Sequence, residues 1–258
     1  MRLLSWNVCG LRAASRKGAL QTLLELDPGV DVFALQETRC DDAQAAACLA
    51  PMFADKRGYV HVALNPSRVK AGHSGVAVVS RLPFLRLPDM EGDDQGRVLT
   101  VDLGAWVLVT AYVQNAGQKA LERLPERVAW DARFLAHVRA VQALGKPVVV
   151  CGDLNVAREP ADVHHPERQR RHAGFTPEER AGFETFLAAT GLVDTYRASH
   201  PDGVAYSYWS NFARSREKDL GWRIDYCLAP EGVAWHAADV LADVRGSDHA
   251  PVVLSLPL

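Results

Sequence analysis

The sequence predicts an α/β (α+β) fold in which mixed β-sheets are flanked by helices. Short runs rich in β-branched and aromatic residues alternate along the chain with apolar residues at helical spacing. Two adjacent predicted strands are joined through Gly104 and Ala105 as in an antiparallel hairpin, so their sheet cannot be purely parallel. Neither G-x-G-x-x-G nor G-x-x-x-x-G-K-[ST] follows any strand, which disfavours a doubly wound nucleotide-binding fold.

Eight segments have the composition and length of strands. In chain order they are residues 30–35, 59–64, 75–80, 98–103, 106–112, 147–151, 222–228 and 252–256. Helical spacing joins Leu20, Leu23 and Leu24; then Val128, Phe134, Leu135, Val138 and Val141; then Phe183, Phe186 and Leu187. The third helix has its own start signal, because the sequence TPEE at 176–179 forms a capping box with proline at the first helical position.

Length and composition indicate an ordinary globular protein. The chain has 258 residues, of which 48% are hydrophobic and 23% charged, and this excludes disorder and a disulfide-stapled miniprotein. No repeat, low-complexity tract or flexible linker is present, so we expect one domain spanning residues 1–258. The 29 Lys and Arg against 31 Asp and Glu give a net charge of -2. A nucleic-acid surface would therefore have to be local.

Cysteine usage bears on the compartment. The five cysteines are odd in number, scattered and never in a C-x-x-C pair, so neither a disulfide framework nor a structural zinc site is indicated. The chain start turns polar too soon for a signal peptide, and no apolar run approaches the roughly 18 residues needed to cross a bilayer. We expect a cytoplasmic protein with no membrane partner.

Polar residues cluster where predicted strands end. Asn7, Glu37, and Asp153 with Asn155 follow apolar strands, Asp225 lies inside the strand predicted at 222–228, and Asp248 with His249 precedes the last strand. Loops at strand ends build sites on a rigid scaffold, although any one of these residues could instead cap a turn. Five such places in one chain favour a common site.

The residue types suggest a metal site and acid–base chemistry. Alternation places Asp153 and Asn155 on one side of the chain, where the carboxylate could accept a proton from water or hold a metal. Glu37 with Asp248 could supply the oxygen ligands that Mg²⁺ prefers, although a salt bridge from Glu37 to Arg39 is the competing interpretation. Asp225 is the candidate carboxylate that would orient His249 and favour its charged form.

Taken together, these segments resemble the exonuclease III type of apurinic/apyrimidinic endonuclease, in the endonuclease/exonuclease/phosphatase superfamily. The resemblance covers nearly the whole chain and rests on segments in family order: LSWNV (4–8), LQET (35–38), YVQN (112–115), GDLNVA (152–157), AGFT (173–176), GWRIDY (221–226) and GSDHAP (246–251). Each segment is weak alone, whereas the ordered set is specific.

The resemblance implies a four-layer α/β sandwich of two mixed sheets with a site at one edge. It implies Mg²⁺-dependent cleavage of a DNA phosphodiester, with Mn²⁺ as an alternative metal. Glu37 would be the principal metal ligand, and the rest of the implied metal set comprises Asn7, Asp248, Asp153, Asn155 and His249. Asp153 would activate the attacking water. Asn155 would orient Asp153 or stabilise the developing charge. His249, held by Asp225, would contact the scissile phosphate, which Tyr112 and Asn115 would also face.

The resemblance also implies residues that bind the substrate. Tyr208 and Trp222 would wall a slot for an extruded sugar that lacks its base, with plain core packing as the alternative. Arg12 and Arg216 would meet the DNA backbone locally, unless they are ordinary surface charges. Four positions depart from the family pattern: Cys9 replaces a frequent acid, Gln114 a proline, Gln118 an arginine and Asp219 an asparagine. These changes affect substrate preference more than reaction type.

The function implied is that of a hydrolase of base excision repair. It would act as a monomer on double-stranded DNA, incise 5′ to abasic sites and trim 3′ ends. Three alternatives stay open: an enzyme that is mainly a 3′–5′ exonuclease, a superfamily phosphoesterase with a non-DNA substrate, and a DNA-binding protein without activity. A missing catalytic residue would favour the last, and none is missing.

Overall fold

Two six-stranded sheets form the centre of the protein. The computed structural model describes residues 1–54, 58–117 and 121–257. The strands are β1 (Arg2–Asn7), β2 (Val32–Gln36), β3 (His61–Asn65), β4 (Val76–Ser80), β5 (Leu85–Arg86), β6 (Val98–Asp102), β7 (Val107–Tyr112), β8 (Val148–Asp153), β9 (Leu192–Asp194), β10 (Tyr208–Trp209), β11 (Gly221–Trp222), β12 (Asp225–Pro230), β13 (Ala237–Val240) and β14 (Val252–Ser255). The first sheet has the order β13-β14-β1-β2-β4-β3 and the second β5-β6-β7-β8-β12-β9, while β10 and β11 form a separate ribbon.

The described residues contain seven helices, of which five cover the outer faces of the two sheets. They are α1 (Leu11–Arg16), α2 (Ala19–Leu26), α3 (Asp42–Ala54), α4 (Leu124–Gln142), α5 (Pro166–Gln169), α6 (Pro177–Thr190) and α7 (Thr195–Ser199), with 3₁₀ turns at Pro160–Asp162 and Phe212–Arg214. One apolar cluster joins α1, α2 and α3 to the first sheet, and a second joins α4 and α6 to the second sheet. A third lies between the sheets. This arrangement confirms the predicted four-layer sandwich.

Strand register brings the predicted site residues to one edge. In the first sheet β1 and β2 are parallel and pair Asn7 with Gln36, so Glu37 leaves the sheet beside Asn7. In the second, parallel β7 and β8 pair Tyr112 with Asp153, and antiparallel β12 pairs Asp225 with the same Asp153. Three site residues are therefore cross-strand neighbours before any loop is considered.

The predicted hairpin and the third helix start are confirmed. Strands β6 and β7 pair in antiparallel fashion across Gly104. At the start of α6 the Thr176 hydroxyl accepts from the Glu179 amide, and the Glu179 carboxylate accepts from the Thr176 amide. These two reciprocal bonds satisfy donors that a helix start would otherwise leave unpaired.

The single strand predicted over residues 222–228 is wrong. Trp222 ends β11, and a new strand, β12, begins at Asp225. Between them the Arg223 amide donates to the Asp162 carbonyl, and the Arg223 side chain turns inward to ion pairs with Asp162 and Asp194. The other seven predicted strands overlap observed ones, whereas helix α3 was not predicted. All five cysteines are free, and no helix in the described part of the chain is both long and apolar enough to traverse a bilayer.

Candidate active site

The site is a cavity of about 680 Å³ at the edge where β1, β2, β7 and β8 end. Its lining includes Glu37, Tyr112, Asn115, Asp153, Asn155, Tyr208, Trp222, Asp248 and His249. These residues come from both sheets, from the β10–β11 ribbon and from the segment before β14. The structure thus brings together nearly all of the predicted site residues.

Asn7 links the two sheets at the base of this cavity. Its Nδ2 donates to Glu37 Oε1 at 3.1 Å and to Asp153 Oδ2 at 2.9 Å, and all three side chains are buried. Its Oδ1 accepts from the Cys9 amide at 3.0 Å, which fixes the orientation of the side-chain amide. The amide therefore holds two carboxylates close together without neutralising either.

Glu37 stands on a strained turn and is fully engaged. Its φ of 52° lies in the left-handed region, which directs the side chain away from the course of β2. Burial would raise the pKa of Glu37, but hydrogen bonds from Asn7 and Tyr112 and the charge of Arg39 outweigh it and hold the pKa below its usual value. The carboxylate is ionised at neutral pH, and the predicted salt bridge to Arg39 is present.

Asp153 and Asn155 share the cavity while Leu154 packs in the core of the second sheet. The Asn155 amide donates to Asp153 Oδ1 at 3.0 Å, and Asn155 Nδ2 donates to the Val113 carbonyl at 2.8 Å. Asn155 Oδ1 in turn accepts from Asn115 Nδ2 at 3.2 Å. Burial raises the pKa of Asp153 to about 7, with further contributions from the charges of Asp225 and Glu37 and an opposing one from His249.

His249 lies between two carboxylates. Its Nδ1 donates to Asp225 Oδ2 at 2.8 Å, and its Nε2 lies 3.9 Å from Asp153 Oδ2. The Ser207 hydroxyl also donates to Asp225 Oδ2, at 2.6 Å. Burial would lower the pKa of His249, but Asp225 raises it to about 10. The imidazole is therefore held as a cation that can face an anionic phosphate.

The donor set fits a hard divalent cation. Within the described ranges, Asp153, Asp225 and His249 form a group whose possible ligand atoms lie within 4.8 Å of one another. Asp225 is not in the predicted ligand set, and its buried Oδ1 has no hydrogen-bond partner in the part of the chain that the structure describes. A protonated imidazole has no lone pair to give, so the carboxylates of this group, and not His249, have the oxygen atoms that could hold such a cation.

Asp248 lies at the rim of the cavity, half-buried, where Asn211 Nδ2 donates to its Oδ2 at 3.3 Å. Its carbonyl accepts from the Trp209 amide at 3.0 Å, which ties the segment before β14 to the β10–β11 ribbon. Burial, together with the charge of Asp248, raises the pKa of the Cys9 thiol to about 11. Cys9 thus occupies the rim position where the family pattern has an acid.

An aromatic wall closes one side of the cavity. Tyr208 and Trp222 pair across β10 and β11, and both line the cavity. The Tyr208 ring lies 4.8 Å from the His249 ring, and Trp222 packs on a small apolar cluster that includes Val163 and Phe175. Both rings are partly exposed to the cavity, in contrast to the buried Trp209.

The two arginines predicted to contact DNA, Arg12 and Arg216, do not line the cavity. Arg12 is exposed in an adjacent groove that also contains Cys9 and Arg39. Arg216 packs over the Trp209 ring and donates to the carbonyls of Ser247, Ala242 and Val244. Arg216 thereby anchors the segment that carries Asp248, and direct contact with DNA stays a prediction for both arginines.

Apart from the Arg39 salt bridge, sequence reasoning missed the basic lining of the cavity. Its members are Arg39, His73, Arg97, Arg123 and His172. Arg97 is buried, packs over the Tyr112 ring at 4.6 Å and donates to the Tyr112 carbonyl. The only sequence signal was a basic residue directly before the strand predicted at 98–103.

The remaining departures from the family pattern have structural roles where they are described. Gln114 Nε2 donates to Glu126 Oε2 at 3.1 Å, and the Gln114 carbonyl accepts from Arg127 Nη1. Asp219 accepts from the Trp209 ring nitrogen at 3.2 Å. Gln118 lies outside the described residues.

Comparison with known proteins agrees with this geometry. A family model described as the endonuclease/exonuclease/phosphatase family matches residues 4–249. The chain is 39% identical over 263 residues to DNA repair nuclease APEX1 of Danio rerio, covering 99% of this chain and 82% of that protein. It is 40% identical over 261 residues to an exodeoxyribonuclease of Bacillus subtilis, covering 98% of each. The crystal structure of the AP endonuclease LMAP from Leishmania major matches with a TM-score of 0.86 at 29% identity, covering 100% of this chain and 87% of that one. The chain belongs to the endonuclease/exonuclease/phosphatase family.

Proposed function

We propose that the protein is a Mg²⁺-dependent DNA-repair phosphodiesterase that incises double-stranded DNA 5′ to abasic sites and trims 3′ ends. The observation that carries the proposal is the convergence of Glu37, Asp153 and His249 on one cavity beside the Tyr208–Trp222 wall. Relatives named as a DNA repair nuclease and an exodeoxyribonuclease support DNA as the substrate. Action as a monomer in the cytoplasm is part of the same proposal.

Asp153 is the candidate general base. A base works best when its pKa lies near the operating pH, and the pKa of Asp153 is raised to about 7. The Asn155 amide fixes one carboxylate oxygen and Asn7 the other, so the side chain is held in one orientation. Such an oriented carboxylate can take a proton from an attacking water.

The cationic and amide groups around Asp153 suit a phosphodiester. His249 presents an imidazolium whose orientation Asp225 fixes, and the side-chain amide of Asn115 lines the same cavity, where Asn155 orients it. Fixed donors of this kind stabilise the charge that develops on phosphate oxygens. Glu37, with Asn7 and Asp248 nearby, would hold the metal, and a bound Mg²⁺ would supply additional stabilisation of that charge.

The aromatic wall supplies selectivity. Tyr208 and Trp222 present apolar ring surface to the cavity, and the Tyr208 ring lies next to the His249 imidazole. A deoxyribose without its base can pack against such rings, whereas a complete nucleotide extruded from the duplex needs more room. The wall therefore favours incision at abasic sites over incision of intact DNA.

A duplex with one tetrahydrofuran residue tests the proposal directly. Purified protein with Mg²⁺ should nick it 5′ to the lesion, and Asp153→Asn should lower kcat by about 10³-fold because it removes the base. Asp202→Asn makes the same change of residue at an exposed position and should leave kcat unchanged. Absence of a nick, or undiminished nicking by Asp153→Asn, would reject the proposal.

A second candidate is an enzyme that acts mainly as a 3′–5′ exonuclease, with weak incision at abasic sites. The 40% identity to an exodeoxyribonuclease favours it. Time courses on abasic, 3′-phosphate and intact duplexes separate the two, because a mainly exonucleolytic enzyme would degrade the intact duplex faster than it nicks the abasic one.

A further inference from the structure

Both oxygens of the Glu37 carboxylate are already engaged within the protein. Oε1 accepts from Asn7 Nδ2 at 3.1 Å, and Oε2 forms an ion pair with Arg39 Nη2. A cation that binds Glu37 must therefore share an oxygen or displace one of these partners.

The backbone fixes Glu37 and Arg39 together. Both have a left-handed φ, 52° and 50°, and Thr38 lies between them with its amide bonded to the Gly75 carbonyl. The Arg39 amide donates to the Ser74 carbonyl at 2.8 Å. A Cβ at Gly75 would lie 2.4 Å from Thr38 Oγ1, so the close approach of these two segments requires glycine at position 75. The ion pair is thus built into the turn.

The two partners differ in freedom to move. The Arg39 side chain is 43% exposed, whereas that of Glu37 is 11% exposed. Arg39 can swing into the groove that it lines together with Arg16, while Glu37 must remain in the cavity. Of the two, Arg39 is the group that can yield to another cation.

The cysteine at position 9 offers Arg39 no second carboxylate. Among the described residues Glu37 is the carboxylate with which Arg39 pairs. An acid at position 9 would offer Arg39 a second partner next to the first.

We propose that Arg39 competes with the divalent metal for Glu37 and thereby sets the metal affinity of the site. This inference rests on the proposed function, in which Glu37 holds the metal. In the metal-free protein the positive charge of Arg39 balances the negative charge of the buried Glu37 carboxylate. When the metal binds, the Arg39 guanidinium moves toward solvent. Loss of Arg39 removes one like charge from the neighbourhood of the bound cation, so it strengthens metal binding.

Calorimetric titration of the DNA-free protein with MnCl₂ tests this role without relying on activity. Arg39→Gln should bind Mn²⁺ about tenfold more tightly than wild type, as expected from removal of one nearby positive charge. Arg16→Gln removes an exposed arginine from the same groove and should change the affinity less than about twofold. Glu37→Gln should abolish the binding isotherm, which assigns it to this site.

Thermal unfolding with and without MnCl₂ confirms that each variant folds and gives a second readout. Mn²⁺ should raise the Tm of Arg39→Gln more than that of wild type at the same concentration. Equal or weaker binding by Arg39→Gln, or an equal gain in Arg16→Gln, overturns the role of Arg39. If one of these contrary results is found while abasic DNA is nicked as proposed, only the inference about Arg39 fails. If the protein neither binds Mn²⁺ nor nicks abasic DNA, the proposed function fails as well.

Discussion

Three residues of the site have a backbone conformation that is uncommon for residues with a Cβ. Cys9, Glu37 and Asn155 have φ values of 47°, 52° and 49°. Each such residue costs on the order of 1 kcal/mol and persists only where its surroundings enforce it. Here the enforcing bonds are those of Asn7 to Cys9 and Glu37 and of Asn155 to Val113. The strain turns side chains into the cavity that a regular strand would direct elsewhere.

His137, which lies outside the site, should make the free energy of unfolding depend on pH in weakly acidic solution. Nε2 of His137 lies 2.9 Å from Thr100 Oγ1, and burial lowers the pKa of His137 below its usual 6.5. The unfolded chain therefore takes up this proton first, so the stabilisation is complete above about pH 6.5 and is lost as the pH falls toward the lowered pKa. We expect urea unfolding to show a smaller decrease in the free energy of unfolding from pH 7.5 to 5.5 in His137→Gln than in wild type. His236→Gln, at an exposed site, should keep the wild-type slope; an unchanged slope in His137→Gln would refute the assignment.

At the scale of elements, the turn between β11 and β12 connects the aromatic wall to the acid–base machinery. Arg223 lies between Trp222 and Asp225, is fully buried and bonds to Asp162 Oδ1 at 2.8 Å and to Asp194 Oδ2 at 2.7 Å. These ion pairs draw the chain inward and end one strand before the next begins. The wall and the partner of His249 therefore share one anchor.

Removal of this anchor should be costly. Arg223→Leu leaves Asp162 and Asp194 with less compensation in the interior, and losing one partner of a buried ion pair typically costs about 3–5 kcal/mol. Arg68→Leu breaks an exposed pair with Asp89 and should cost less than about 1 kcal/mol. Denaturant unfolding of both variants measures the difference, and equal stabilities would show that the Arg223 pairs are dispensable.

The same turn shows where sequence reasoning stops. The types and order of the site residues could be predicted, because apolar strands that end in polar residues are visible as local patterns. The break after Trp222 could not, because it depends on Asp162 and Asp194, which are distant in the chain. Helix α3 could not be predicted either, because its alanine-rich sequence contains Pro51 and shows no clear apolar stripe. The roles of Arg39 and Arg97 likewise require the folded cavity.

At the scale of the whole molecule, the charge distribution governs how DNA can be bound. The net charge is -2, so attraction to a polyanion depends on local basic groups such as Arg12 in the groove beside the cavity. Binding of this kind releases counterions and weakens as salt rises. The basic residues that line the cavity itself add to this local field.

The salt dependence of binding measures that contribution. If Arg12 contacts a phosphate, Arg12→Gln should weaken binding of Asp153→Asn protein to abasic and intact duplexes alike and reduce the slope of log K against log salt by about 1. Fluorescence anisotropy between 50 and 200 mM salt, roughly the range over which such contacts are lost, gives the slope. An Arg12→Gln slope equal to that of the Arg12-containing protein would place Arg12 outside the DNA interface.

The Asn7 amide has a consequence for how the enzyme matures. It joins a glutamate 30 positions away to an aspartate 146 positions away, and these belong to different sheets. No fragment or half-assembled intermediate can possess the finished centre, because its parts meet only after the sandwich has closed. Turnover during refolding should accordingly lag behind the recovery of secondary structure, which makes catalysis itself an indicator of the last step of assembly.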